Sequence, residues 1–374
     1  MKSSSRLTVA ALLCAIIAVS PNATAANKSR KKAKAVKVTK TVKASAVSAE
    51  FVHFSQWKEV AEFIDQMVTR HGFDKARLDT TFDQVRYVES AIQLIKPAPP
   101  GRPKNWKAYR ARFVEKNRID AGIAFWDTHA DALDKAEREY GVPAEIIVGL
   151  IGVETIYGRN TGNFRVMDAL TTLAFAYPDT PTRLTRMAFF RTELENLLLL
   201  SRDSLIDPFS FKGSYAGAIG LPQFMPGSIR SYAVDFNGDG QIDLLTSPAD
   251  AIGSIANYLS LHGWKKGLPT VFPATLISVE TDLDKSADKL NTVLSQGLKA
   301  SYSLNELRPL ATTASQDIPD HLLYGLVDLQ NGNDPTEYWL ATDNFFAITQ
   351  YNRSYFYAMS VIDLGRVIAL ARLK

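Results

Sequence analysis

The sequence is poor in the residues on which metal and redox chemistry most often rests. It holds one cysteine, Cys14, inside an apolar N-terminal run, so the rest of the chain has no disulfide and no thiolate metal site. The five histidines, His53, His71, His129, His262 and His321, are scattered without zinc-ligand spacing, which weighs against a metallohydrolase. No Ser/His/Asp order, glycine-rich phosphate loop or internal repeat is found. After the N-terminus no apolar run is long enough for a bilayer span.

What the N-terminus does have is the pattern of an export signal. A basic opening, Met1 to Arg6, precedes an apolar run from Leu7 to Val19 and the small-x-small triplet Ala23-Thr-Ala25. Residues 1–25 therefore form a signal peptide, with the mature start at about Ala26 and no transmembrane anchor in the mature chain. Cys14 follows Ala-Leu-Leu, which is not a lipoprotein signal. Export without a disulfide framework suits a bacterial periplasm. Residues 26–50 contain Lys28, Arg30, Lys31, Lys32, Lys34, Lys37, Lys40 and Lys43, and read as a basic disordered linker. The chain's net charge is +4; without those eight charges and those of Lys2 and Arg6, the remainder carries −6. The basicity thus belongs to the tail, and a nucleic-acid groove in the globular part is not expected.

Helical patterning dominates from residue 51 onward. Trp57, Val60, Ala61, Ile64, Met67 and Val68 recur at helical spacing, with Gly72 as a stop. A helix from about Arg110 to Tyr140 and others at about 143–157, 168–176, 181–201, 248–262 and 354–372 are expected. Between 267 and 317 short apolar runs such as Thr275 to Val279 suggest a small β-rich insertion, and Leu322–Leu329 and Glu337–Ala341 look like further strands.

The most informative stretch is Val148 to Gly158, where one carboxylate, Glu154, interrupts an otherwise apolar helix. Ile146, Ile147, Val148, Leu150, Ile151, Val153 and Ile156 surround that helix rather than form one stripe, so packed protein should cover most of its faces. Glu154 must then open onto a cleft, pair with a partner or keep its proton. Burial raises a carboxyl pKa and can make a glutamic acid a proton donor near neutral pH. The alternative is a structural glutamate satisfied by backbone donors or by an arginine such as Arg159.

Three further segments bear on chemistry. Gly213 to Ser228 alternates small residues that permit close backbone approach, and its Ser214 and Gln223 could bond sugar hydroxyls or an acetamido group, or simply form a tight buried turn. Asp235-Phe-Asn-Gly-Asp-Gly-Gln-Ile-Asp243 reproduces the first part of a calcium loop, with oxygen ligands at Asp235, Asn237, Asp239 and Asp243 and a backbone carbonyl at Gln241. Position 12 is Thr246 where a bidentate glutamate is usual. Asp250 could supply that carboxylate, although Ser247-Pro-Ala-Asp250 is also a capping box, and Asn-Gly and Asp-Gly turns account for the loop without metal. The third segment, Asp343 to Met359, interleaves aromatic rings and amides, which suits sugar rings or an ordinary core.

Val153 to Gly158, Gly213 to Gly220, Gln223 to Pro226, Ala233 to Gly240, Asp343-Asn-Phe345 and Tyr351-Asn352 occur in this order. Together they closely resemble the lytic murein transglycosylase B family from about residue 51 to the C-terminus. The resemblance implies an α+β, predominantly α fold: a lysozyme-like helical core at 141–266 with the calcium loop, a mainly helical flanking domain from 51–140 and 318–374, and the β-rich insertion at 267–317. It also implies Glu154 as the single catalytic acid/base, Ser214, Gln223, Asn344 and Tyr351 lining the glycan cleft, and structural Ca2+ held by Asp235, Asn237, Asp239, Gln241, Asp243 and Asp250. Peptidoglycan glycan strands are the implied partner, with penicillin-binding proteins of the wall-synthesis machinery as candidate protein partners. Two departures stand out: the segment from Ile242 to Asp250 is one residue longer than the usual family loop, and no lipobox is present.

The implied reaction cleaves the MurNAc-GlcNAc β-1,4 bond without water, giving 1,6-anhydro-MurNAc ends, with Glu154 as acid and then base. Most glycosidases need two carboxylates, and Glu145, nine positions earlier, lies on the opposite side of the same helix. A hydrolytic muramidase using a second, distant acid such as Asp168, and a non-catalytic calcium-stabilised wall-binding protein, are the competing readings.

Overall fold

Helices begin where the sequence supplies a cap. The side chains of Asp74, Asn105, Ser247, Thr342 and Ser354 each accept an amide from the first turn that follows, satisfying donors that would otherwise be orphaned. The protein is described by a computed structural model over residues 53–97, 103–277, 283–295, 297–315 and 318–373. The export signal at 1–25 and the basic linker at 26–50 lie outside the described residues.

The N-terminal part consists of α1 (Lys58–His71), α2 (Lys75–Asp83), α3 (Glu89–Ile95), the one-turn α4 (Trp106–Arg110), α5 (Lys116–Thr128) and α6 (Ala130–Tyr140). The single helix expected from Arg110 to Tyr140 is thus broken twice. Glu115 opens α5 by accepting the amides of Asn117 and Arg118, and His129, outside helical geometry, ends α5 and starts α6. Then follow α7 (Ala144–Thr155), β1 (Phe164–Arg165), α8 (Val166–Phe175), α9 (Arg183–Ser204), β2 (Lys212–Gly213), α10 (Pro226–Tyr232) and α11 (Pro248–Leu261).

α7 is the centre of the largest apolar core, with Ile147, Val148, Leu150 and Ile151 fully buried. The last helix, α15 (Tyr355–Arg372), lies along it. The two backbones touch because glycine stands on both sides of the crossing. A Cβ at Gly149 would come within 2.2 Å of the Val361 carbonyl oxygen, and one at Gly365 within 2.0 Å of the Glu145 carbonyl oxygen.

The remaining elements are β3 (Val271–Leu276), α12 (Leu283–Leu294), β4 (Tyr302–Ser303), α13 (Leu304–Leu307), β5 (Ala311–Thr312), β6 (Leu323–Asn331), β7 (Asp334–Ala341) and α14 (Asp343–Tyr351). They build an antiparallel sheet of order β4-β6-β7-β3-β5 over a second small apolar cluster that includes Phe272, Leu307, Tyr324 and Leu340. The sheet is not confined to 267–317. That segment also contains α12, and the two longest strands, β6 and β7, follow it where the strands at Leu322–Leu329 and Glu337–Ala341 are expected, inside a flanking domain expected to be mainly helical. No single helix among the described residues is long and apolar enough to cross a membrane.

Candidate active site

Glu154 is the penultimate residue of α7, and the chain turns sharply after it. Ile156, Tyr157 and Gly158 have φ of 53°, 56° and 85°, three successive left-handed residues of which two carry side chains that disfavour that conformation. The turn is held by Thr155, whose hydroxyl donates to the Leu221 carbonyl at 3.0 Å and accepts the Gly158 amide at 3.1 Å. Strain of this kind persists only where the surroundings over-determine it. Here it ties the end of α7 to the segment 213–225.

That segment is a chain of tight turns. The Ser214 hydroxyl accepts the amides of Ala216 at 3.3 Å and Ala218 at 3.0 Å, so the side chain shapes its own loop. Gln223 is a non-glycine residue at φ 50°, and its amide nitrogen donates to the carbonyls of Thr161 at 3.1 Å and Gly220 at 2.9 Å. Neither bond uses its side-chain oxygen. Gln223 therefore clamps the turn after α7 to the segment while keeping an acceptor for a ligand.

The opposite wall comes from α14 and α15. The Tyr357 hydroxyl donates to Glu154 Oε1 at 2.5 Å. Tyr351 stacks on Tyr357 with ring centroids 6.4 Å apart, and its hydroxyl donates to the Pro222 carbonyl next to Gln223. Tyr351 is nearly buried, so it buttresses the Gln223 loop from behind more than it lines the cleft. Asn344 does not reach the cleft. It is fully buried, its side-chain oxygen accepts the Lys265 amide at 2.6 Å, and its nitrogen donates to the Lys265 and Leu268 carbonyls at 2.8 and 2.7 Å. An amide at the start of a helix and an amide in a sugar site look alike in sequence; this one closes the Lys265–Leu268 turn.

Glu154 is partly exposed at the base of this arrangement, yet enclosed enough that burial pushes its carboxyl up to about 7, against the lowering effect of the Tyr357 hydrogen bond. Burial and then the Glu154 charge hold the Tyr351 and Tyr357 phenols well above the usual tyrosine range. Among the described residues no second carboxylate adds to the forces on Glu154. Glu145 sits in the first turn of α7, raised by burial and lowered by the Arg366 charge. Asp168 is bound by Arg165 at 2.7 Å and by the Arg86 amide at 3.0 Å.

Sequence reasoning does not single out two of the tyrosines near this acid. Tyr357 was visible only as one more ring in the interleaved segment. Tyr109, on α4, has its phenol raised by burial, lowered by Arg112 and raised again by the Glu154 charge, which places it in electrostatic range of the acid. Its ring packs on Phe113 and Phe356 at 5.2 and 5.4 Å, with the Arg112 guanidinium 5.5 Å from its centroid. The signal that could have marked it is Asn105 as a cap, followed by Trp106 and Tyr109 three apart.

The expected calcium loop fits a metal only in part. Asp235 accepts the amides of Gly238, Asp239 and Gly240, the way the first carboxylate of a calcium loop organises its turn, and Asn237 and Asp239 stand beside it. Asp243 instead accepts the Leu245 and Thr246 amides. Asp250 is fully buried, one oxygen accepting the amides of Phe236 and Asn237 and the other that of Asp243. Among the described residues no three acidic, histidine or cysteine side chains converge on one point. In this arrangement Asp250 organises the loop from inside and is not aimed at an ion.

The family described as Transglycosylase SLT domain matches residues 54–366. The chain is 40% identical over 329 residues to the membrane-bound lytic murein transglycosylase B of Escherichia coli strain K12, covering 86% of this chain and 85% of that protein. It is similar to the catenated lytic transglycosylase SltB1 from Pseudomonas aeruginosa, with 44% identity, a TM-score of 0.76 and coverage of 85% of this chain and 99% of that one. It is also similar to the Escherichia coli lytic transglycosylase Slt35 in complex with calcium, at 41% identity and a TM-score of 0.73 over 85% of this chain and 94% of that one.

Proposed function

The chain belongs to the Transglycosylase SLT family and is a lytic murein transglycosylase, a lyase acting on peptidoglycan with a lysozyme-like fold, and from that premise we propose that Glu154 alone performs its acid and base steps. One observation carries the proposal: a carboxyl poised at about 7 by burial, bonded by Tyr357, with no second carboxylate acting on it among the described residues. A hydrolytic muramidase would need that second group to activate water or form a glycosyl ester.

In the proposed mechanism the protonated Glu154 donates to the glycosidic oxygen between N-acetylmuramic acid and N-acetylglucosamine as the bond to C1 breaks. The carboxylate left behind accepts the proton of the muramic C6 hydroxyl while that oxygen attacks C1, forming a 1,6-anhydro ring and restoring the acid. Tyr357 keeps one carboxylate oxygen fixed through both steps, leaving the other to move the proton. The Gln223 side-chain oxygen and the Ser214 hydroxyl are the polar groups offered to the glycan, and Tyr109 is the aromatic face for a sugar ring. Mass spectrometry of the released muropeptides tests this: anhydro products, lighter by one water than reducing-end products, are expected, and reducing ends alone would reject it.

The site of action in this reading is the periplasm, reached through the signal at 1–25. Calcium, when bound, would neutralise the clustered carboxylates of the 235–243 loop and stabilise the fold, held by Asp235, Asn237, Asp239, the Gln241 carbonyl and Asp243. The calcium complex of the similar Slt35 supports this.

A further inference from the structure

The tip of the hairpin between β6 and β7 leans on the helix that carries Tyr109. The two-residue Gly332-Asn333 turn between these strands needs no buried polar flank, since such turns normally face water. Asn331 nevertheless is only 2% exposed. Its side-chain oxygen accepts the Lys107 amide at 2.9 Å and its nitrogen donates to the Pro335 carbonyl at 3.1 Å. Beside it, the Gly332 amide donates to the Lys104 carbonyl at 2.8 Å and Lys107 Nζ pairs with Asp334 at 3.0 Å.

α4 has five residues, far too few to persist unaided. Two of its first-turn amides are satisfied by asparagine side chains, that of Ala108 by Asn105 and that of Lys107 by Asn331 from the sheet. On the same turn stands Tyr109, its ring packed at 5.4 Å on Phe356, the chain neighbour of the Tyr357 that bonds Glu154. Trp106, buried against Phe356 at 5.4 Å, anchors the other side of the same turn.

We propose that Asn331 is a positioning residue that holds Tyr109 in place as an aromatic wall of the glycan cleft, so that the small sheet takes part in substrate binding through α4. The inference rests on the reading of the cleft as the glycan site. It is tested with soluble glycan oligomers prepared from cell wall, comparing wild type with Tyr109→Ala, Asn331→Ala and the double variant. Asn331→Ala should raise KM roughly three- to tenfold, the size of one lost aromatic contact, with kcat held within about twofold. The double variant should match Tyr109→Ala alone, because two residues acting through one contact are not additive. A folded Asn331→Ala with unchanged KM, or additive effects in the double variant, overturns the proposal and leaves the glycan reading standing. Unchanged KM in Tyr109→Ala removes the aromatic wall and the proposal with it. If the alanine variant does not fold, Asn331→Ser, which keeps a hydroxyl at the site, is read by the same criteria.

Discussion

Tyr357 bonds Glu154 Oε1 at 2.5 Å from a position 203 residues further along the chain. The two effects on this carboxyl oppose each other. Burial favours the neutral acid that the proposed mechanism needs for its first step, and the phenol favours the carboxylate it needs for the second. A group asked to serve in both directions works best when neither influence dominates.

Glutamine at position 154 keeps the volume and can still accept from Tyr357, but cannot give and recover a proton. Glu154→Gln should lose roughly two to four decades of activity on purified wall glycan while melting no lower than wild type. Near-normal turnover by the folded variant would take the acid/base role away from Glu154.

The acid must be protonated in the free enzyme, so kcat/KM should be full below the Glu154 pKa of about 7 and fall as pH rises through it. Removing the phenol removes the effect that lowers this value. Tyr357→Phe should therefore shift the alkaline limb to higher pH. A limb that stays in place, or moves to lower pH, would mean another group governs it.

Glu193 is a second buried carboxyl raised to about 7, by burial and against the Gly227 amide it accepts at 2.8 Å. A carboxyl whose folded pKa lies above its unfolded value contributes fully below the unfolded pKa, and stability declines as pH rises from there through 7. Glu193→Gln should thus leave the melting temperature nearly unchanged at pH 4 and raise stability by roughly 2–4 kcal/mol at pH 8. Equal effects at both pH values would show that the fold does not raise the Glu193 pKa above its unfolded value.

Calcium should raise the melting temperature of wild type but not of Asp239→Ala, the stabilisation of wild type being about 2.7 kcal/mol at a hundredfold excess over the Kd. Asp250→Ala should cost roughly 2–5 kcal/mol with or without calcium, because three amides, that of Phe236 buried and those of Asn237 and Asp243 partly so, lose a buried acceptor. Loss confined to calcium-containing buffer would make Asp250 a ligand first.

The parts of this architecture legible in sequence are those governed by neighbours in the chain. α7, with proline before it and glycine after it, and the misplaced charge of Glu154 are local facts. So is the Ser247 cap of α11. What was not legible depends on the fold. Tyr357 and Tyr109 gain meaning only from where α15 and α4 lie, and Asn344 loses its expected role because tertiary contacts turn it toward Lys265. The strand-like runs between 267 and 317 concealed α12, whose helical spacing at Leu290, Val293 and Leu294 is short enough to pass as loop. The strands β6 and β7 were legible at Leu322–Leu329 and Glu337–Ala341, but not that they join β3 in one sheet. In the calcium loop, spacing identified the oxygens without telling which of them the backbone would occupy.

The glycine crossing of α7 and α15 has a mechanical consequence. The acid and the phenol that holds it ride on two rods in backbone contact, and these cannot slide or part without unpacking the core. Under the proposed mechanism, accommodating a stiff polymer is therefore left to the α4 turn and the 213–225 loop, while the pair of helices that carries the acid and its phenol stays fixed.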